Sequence, residues 1–287
     1  MLLPTIFLLL VADDPNATLA TKLLPLYLKE AREYSLAVES APTRPLELKA
    51  EPVLEWSNPT RGPGGGQQGA VFLWLRAGRP AALGCFFSVQ HQTLPGRLIR
   101  HELHALDTEK LIVTRDADNQ WKPQGGLVRT AITDATPPAA LPETRLVQMR
   151  RLAKEFTAHS VDREEKQWEL RLLPTPLYRY AQANSGVIDG ALFAMVSNAG
   201  TDPEVLLLLE ARELEGKRIW EFACGRFSDW ELHVQRKEKE VFTSIRGPDP
   251  THLYRIYPDK IITLEGKLLA RVRQTPSGPE ITQVRDK

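Results

Sequence analysis

His101-Glu102-Leu103-His104 packs proton-transferring and metal-ligating side chains into four residues. The zinc-protease pattern H-E-x-x-H sets its histidines at i and i+4, on one helix face. Here the spacing is i and i+3, in a stretch that reads as strand, where neighbouring side chains alternate between faces. His101 and His104 are therefore expected on opposite sides of a sheet, and no metal site is expected. Acid–base catalysis is the other use for these groups. Glu102 and Glu221 sit at matching places of a repeat, and near an axis two carboxylates could shift each other's pKa and divide the acid and base roles. Either one, with His101 or His104, would make a small hydrolase or isomerase at the junction of the repeats.

Other chemical signatures read as structure. Gly64-Gly65-Gly66-Gln67-Gln68-Gly69 satisfies G-x-G-x-x-G, but a dinucleotide loop must open a helix so that its N–H groups meet the pyrophosphate. Ala70 to Leu75 reads as strand, so the glycines make a hairpin loop and no cofactor is expected. Asp116-Ala117-Asp118-Asn119-Gln120 begins like a calcium loop but lacks the later Gly and bidentate Glu. No nucleophile elbow, P-loop or Ser-His-Asp order is visible. Aromatic residues fall at strand positions; Trp56, Tyr180 and Trp220 are the candidates for a sugar- or peptide-binding surface.

The elements that would position these groups come twice, in the same order. Ala31-Arg32-Glu33-Tyr34-Ser35 is answered by Ala153-Lys154-Glu155-Phe156-Thr157. Pro52-Val53-Leu54-Glu55-Trp56 is answered by Pro176-Leu177-Tyr178-Arg179-Tyr180, and Gly69-Ala70-Val71-Phe72 by Gly190-Ala191-Leu192-Phe193. The turn at Gly78 corresponds to the turn at Gly200, and His101-Glu102-Leu103 to Trp220-Glu221-Phe222. The offset stays near roughly 120 residues, as a repeated supersecondary unit requires. Leu24, Tyr27, Ala31 and Tyr34 in one copy, and Leu146, Met149, Ala153 and Phe156 in the other, give a helical apolar stripe.

Each copy reads as one helix and about five strands, joined by short Gly and Pro turns that imply antiparallel hairpins. The expected fold class is α+β: a tandem duplication of a helix plus antiparallel β-meander unit, with two sheets packed in pseudo-twofold symmetry and helices outside. Ala81 to Phe87 and Val205 to Leu209 are apolar without alternation, so both faces should be buried. The expected divisions are 1–17, a candidate signal peptide; 18–129, repeat unit 1; 130–141, linker; and 142–287, repeat unit 2 with extra C-terminal strands.

With 287 residues and 42% hydrophobic content, the chain can build a large core or two smaller ones. Lys+Arg 37 against Asp+Glu 36 leaves no global reason to seek nucleic acid. The apolar stretch Leu2 to Ala12 is too short to span a bilayer and has the length of a signal-peptide core. Export to the periplasm or cell envelope is expected, with a cytoplasmic location the alternative, and the protein is not read as an integral membrane protein. Cys85 and Cys224 lie in apolar segments and read as buried thiols, with a single disulfide the alternative after export.

Gly190-Ala191-Leu192-Phe193, Thr201-Asp202-Pro203-Glu204 and Leu172 through Tyr180 resemble segments of a group of uncharacterised exported bacterial proteins. That resemblance implies export and no particular activity. The leading expectation is a soluble, exported, non-catalytic protein that binds a small molecule, glycan or protein. The alternatives are the acid–base enzyme above and an envelope scaffold.

Overall fold

The computed structural model describes residues 15–59, 66–116, 120–121, 127–182, 185–197, 200–247, 253–256 and 259–284. The apolar stretch at 2–12, two residues of the glycine run (64–65) and three of the aspartate loop (117–119) lie outside them. Helix α1 (Pro15–Arg32) leads into β1 (Ser35–Val38), β2 (Glu47–Asn58), β3 (Gln67–Arg76), β4 (Arg79–Gln90), β5 (Arg97–Ala105), β6 (Leu111–Thr114), β7 (Gln120–Trp121) and β8 (Thr130–Ile132). Helix α2 (Pro142–Ala153) leads into β9 (Phe156–Val161), β10 (Gln167–Leu172), β11 (Tyr178–Gln182), β12 (Val187–Ser197), β13 (Pro203–Leu214), β14 (Lys217–Arg226), β15 (Glu231–Arg236) and β16 (Lys239–Ser244). Strands β17 (Leu253–Ile256), β18 (Lys260–Ile262), β19 (Leu268–Thr275) and β20 (Gly278–Gln283) close the chain.

The protein is mostly antiparallel sheet, 57% strand against 11% helix, and so predominantly β instead of the expected α+β. The physical reason is local. Two-residue turns return the chain at once, and at Ala77-Gly78 and Glu215-Gly216 both residues take positive φ (49° and 81°, 51° and 76°). Consecutive positive φ values twist a turn the way antiparallel strands twist, so hairpins form where a helix would need more chain.

The first sheet runs β2-β3-β4-β5-β18-β19-β20, with β17 also on β5. The second runs β16-β15-β9-β10-β12-β13-β14-β8, with β11 also on β12. A small third sheet holds β1-β6-β7. Two expected boundaries are crossed. Residues 130–132 of the expected linker form β8 and pair with β14, Trp220 opposite Ile132. The C-terminal strands, assigned from sequence to the second unit, cross to the first sheet: Leu253 to Ile256 pair with His104 to His101, and Ile261 and Ile262 with Leu98 and Arg97.

Side-chain alternation along the strands separates three apolar layers. Leu23, Tyr27 and Ala31 of α1 pack on Ala70, Phe72, Trp74, Ala82 and Phe86. The opposite faces of β3 and β4, with Val71, Leu73, Leu83 and Cys85, pack against Leu192, Ala194, Leu206 and Leu208 of the second sheet. Beyond that sheet, Phe193, Met195, Leu207 and Leu209 pack on Met149, Leu152 and Ala153 of α2. Strands β4 and β13 are thus buried on both faces, which their unbroken apolar runs demanded. Cys85 and Cys224 are both buried and form no disulfide, and they belong to different layers.

Each helix is locked by buried ions as well as by apolar contact. Glu30 of α1 accepts from Lys260 Nζ at 2.7 Å and lies 3.3 Å from His101 Nε2. Arg145 of α2 donates to Asp189 at 2.9 Å, and Arg179 of β11 donates to the same carboxylate at 2.7 Å. Asp189 is a buried member of β12 that pins a helix.

Candidate functional site

The two sheets carry one recurring device, an aromatic ring laid over a glycine on the neighbouring strand. Trp56 of β2 faces Gly69 of β3, and a Cβ at Gly69 would come within 2.3 Å of the indole. Tyr180 of β11 faces Gly190 of β12, and a Cβ there would come within 2.6 Å of the phenol ring. Only glycine permits such an approach. The next strand over differs. Gly69 stands opposite Phe87, whose ring lies 5.7 Å from that of Trp56; Gly190 stands opposite Glu210.

Glu210 is the most heavily committed carboxylate on the inter-sheet face. It is 1% exposed, takes two hydrogen bonds of 2.9 Å from Arg79 and one of 3.0 Å from Arg129, and accepts from Tyr180 Oη at 2.6 Å. Burial pushes its pKa up, but the two guanidiniums and the phenol more than offset this and hold it below the usual carboxylate range. Arg79 comes from the first sheet and Glu210 from the second, so the cluster clamps the sheets together. A lone acid ending the run Val205 to Leu209 was a sequence signal for it, since a charge on a strand buried on both faces needs a partner.

The four acid–base candidates are not brought together. His101 faces α1: its Nδ1 meets Tyr34 Oη at 2.7 Å and its Nε2 meets Glu30. Burial depresses the His101 pKa although Glu30 opposes this, so the ring is neutral and its Nε2–H donates to Glu30. Glu30 is pushed up by burial, but the hydrogen bonds from His101 and Lys260 prevail and bring it down to about 2. His104 lies on the opposite face of β5, stacked on Phe227 at 4.5 Å. Glu102 is buried opposite Cys85. Glu221 pairs with Arg212 at 3.2 Å. Glu102 and Glu221 are not equivalent either: the register leads from Gly69 through Phe87 to Arg100, and from Gly190 through Glu210 to Glu221. The sequence match was out by two residues, which preserved the face and concealed the slip.

Of the three aromatic candidates, Trp220 is core, 1% exposed, with its Nε1–H donated to Thr136 O at 3.1 Å. Tyr180 belongs to the Glu210 cluster. Trp56 alone lines a cavity, a pocket of about 350 Å³ between α1 and the β2–β3 edge.

A larger cleft, about 560 Å³, opens beside β14. Leu106, Leu127, Leu206, Phe222, Cys224 and Val241 give it apolar walls, and His104 and Arg226 are the basic groups on them. Both β14 and β16 line it, although they lie near opposite ends of the second sheet's strand order. The sheet therefore curls until those ends face one another across the gap. Two residues of the lining, Val128 and Ile245, are each 82% exposed. Burial pushes the Cys224 thiol up to about 12, so it is not a nucleophile at neutral pH.

Among the described residues no group of three or more His, Cys, Asp or Glu could hold a metal ion, and no helix is long and apolar enough to cross a membrane. Comparisons with protein-family models, with curated proteins and with solved structures return no match.

Proposed function

We propose that the chain is a tandem duplication with pseudo-twofold symmetry, acting as an exported, non-catalytic binding protein that takes a carboxylate-headed apolar chain, such as a fatty acid, in the cleft beside β14. The duplication is supported by matching pairings. In one half β1 pairs β6 and β6 pairs β7, while β2 through β5 form a ladder. In the other, β9 pairs β15 and β15 pairs β16, while β11 through β14 form the ladder. The long strand β2, whose register shifts between Lys49 and Leu54, corresponds to β10 and β11 taken together on β12. Reciprocal contacts agree with a twofold: Tyr178 reaches the Gly78 turn at 3.3 Å, and Asn58 reaches the Asp202 turn at 2.6 Å.

The observation that carries the binding reading is the cleft itself. Its volume falls within the ~300–1,000 Å³ of ligand pockets, and its lining is apolar with few polar groups. Leaving Val128 and Ile245 in water has no benefit to the isolated fold. Arg226 and His104 give a carboxylate head a place on the wall. The resemblance to exported bacterial proteins and the apolar stretch at 2–12 support export.

The test is titration with a dansylated fatty acid, displaced by oleate. Saturable binding is expected, weakened at least ~10-fold by Thr243→Trp, which fills the cleft from an exposed strand position and leaves the core untouched. No saturable binding by the unaltered protein, or equal binding by the variant, would sink the reading.

A further inference from the structure

The cleft beside β14 lies where the second sheet stops short of closing. The strand order of that sheet ends in β16 on one side and β8 on the other. Val241, Phe242, Thr243, Ser244 and Ile245 line the cleft on the β16 side, and Val128 and Thr130 line it on the β8 side. Five consecutive residues do not share one face of a strand, because side chains alternate. β16 therefore turns its edge, and not a face, towards the gap.

That edge has no ladder partner among the described residues. β16 pairs only with β15, Leu232 opposite Ser244, His233 opposite Thr243 and Val234 opposite Phe242. The ladder skips Val241 at a bulge, so the regular edge is Phe242 to Ser244, with Val241 and Ile245 at its ends. In an antiparallel pair every second residue points its N–H and C=O away from the partner strand. An open row of such groups is a template for another strand. An acyl chain has no hydrogen bond to offer it, whereas an extended peptide brings a donor and an acceptor with nearly every residue.

The first half shows the matching place filled. By register Arg100 of β5 corresponds to Glu221 of β14, so residues 101–104 correspond to 222–225. His101 to His104 carry β17, Leu253 to Ile256, as an antiparallel strand. In the second half the β8 ladder stops at Thr130 opposite Phe222, and Cys224 and Gly225 line the cleft instead. Each lip of the gap also holds an apolar side chain in water, Val128 on one and Ile245 on the other, both 82% exposed.

We infer that the cleft takes an extended peptide segment of a partner protein, apolar at alternate positions, as an added strand against the edge of β16. The inference rests on the reading of this cleft as the binding site for an apolar chain, and it names the kind of chain. Backbone hydrogen bonds to β16 hold the segment, and its apolar side chains cover Val128 and Ile245. Residues 241–245, at ~3.3 Å each, present about 16 Å of edge, so the segment is about five residues long. Seated between β16 and β8, it closes the second sheet.

The test is amide hydrogen exchange, followed by NMR on the ¹⁵N-labelled protein, with two probes. One is the acetylated and amidated heptapeptide KVTVTVK; the other has the sequence of residues 251–257, which contains β17. At least one should bind saturably and slow exchange at least ~10-fold at alternate amides among residues 241–245. N-methylating either all the valines or all the threonines of the first peptide removes the donors along one edge or the other. For whichever probe binds, one of two such alternate N-methylated forms should lose at least ~10-fold in affinity. If oleate binds and neither peptide does, this inference is overturned and the cleft reading stands; if nothing binds, both fall. A peptide that binds without slowing exchange at 241–245, or that tolerates both methylation patterns, overturns it as well. So does a protein that is dimeric by light scattering with those amides already protected, since a second copy then covers the edge.

Discussion

In the first half of the molecule Trp56 lies over Gly69 and meets Phe87; in the second, Tyr180 lies over Gly190 and meets Glu210. The backbone frame is the same and the third member differs. Where it is an acid, it draws in Arg79 and Arg129, and the space is consumed by a buried ion cluster. Where it is a phenylalanine, no ion cluster forms and the aromatic donor has no partner among the described residues. One strand position thus separates an ion clamp from an aromatic contact.

The comparison is most severely tested at its acid. Glu210→Ala leaves two buried guanidiniums unpaired and should cost about 3–5 kcal/mol in denaturant unfolding. A loss under ~1 kcal/mol would mean that the cluster is not what clamps the sheets.

The α1 anchor comes next and is read through pH. Glu30 falls from an ordinary 4.5 to about 2 in the fold, so its contribution is present above 4.5 and is lost as pH drops towards 2. His101 is also depressed; the unfolded chain takes up a proton below 6.5 that the folded ring refuses, which again lowers stability as pH falls. Stability should decline from about pH 6.5 downward, with Glu30 accounting for on the order of 3 kcal/mol. Glu30→Gln should flatten the limb between 4.5 and 2; an unchanged slope would remove Glu30 from the account.

Tyr180→Phe deletes a hydrogen bond to a charged acceptor and should cost about 1.5–3 kcal/mol by chemical denaturation. A cost below that range would mean that the two arginines suffice for Glu210 without the phenol. The smallest effects belong to the glycines. Gly69→Ala and Gly190→Ala each force a ring aside and should cost about 1–3 kcal/mol. Similar costs would fit equivalent frames, whereas a neutral Gly69→Ala would mean that Trp56 can shift where Tyr180, held by Glu210, cannot.

Much of this was legible before any coordinates. The apolar stripes located both helices, and the paired strings around Trp56–Gly69 and Tyr180–Gly190 located the frames. The interval between His101 and His104 put them on opposite faces. Other features were hidden for physical reasons. His101-Glu102-Leu103 resembles Trp220-Glu221-Phe222 in character, yet hydrogen-bond register, which letters do not encode, aligns Arg100 with Glu221. Tyr180 and Trp220 look like surface aromatics until Glu210 and Thr136 O are seen to satisfy them. Arg79 and Arg129 are distant in sequence from Glu210, and only sheet packing brings them together. The fold is more β than the expected α+β because pieces as short as β7 and β8, two and three residues long, become strands only through tertiary pairing with β6 and β14, which local pattern does not display.

The pairing of the last strands with β5 has a consequence in time. The free edge of β5 is covered by residues 253–256 and 261–262, which leave the ribosome well over a hundred residues after β5 itself. At synthesis rates of roughly 5–20 residues per second, that edge waits on the order of ten seconds for its cover. An exposed strand edge is a template for pairing with other chains. The nascent protein therefore passes through an interval in which its first sheet is formed but unsealed. Its yield in the cell should depend on how that interval is protected more than on the stability of the finished fold.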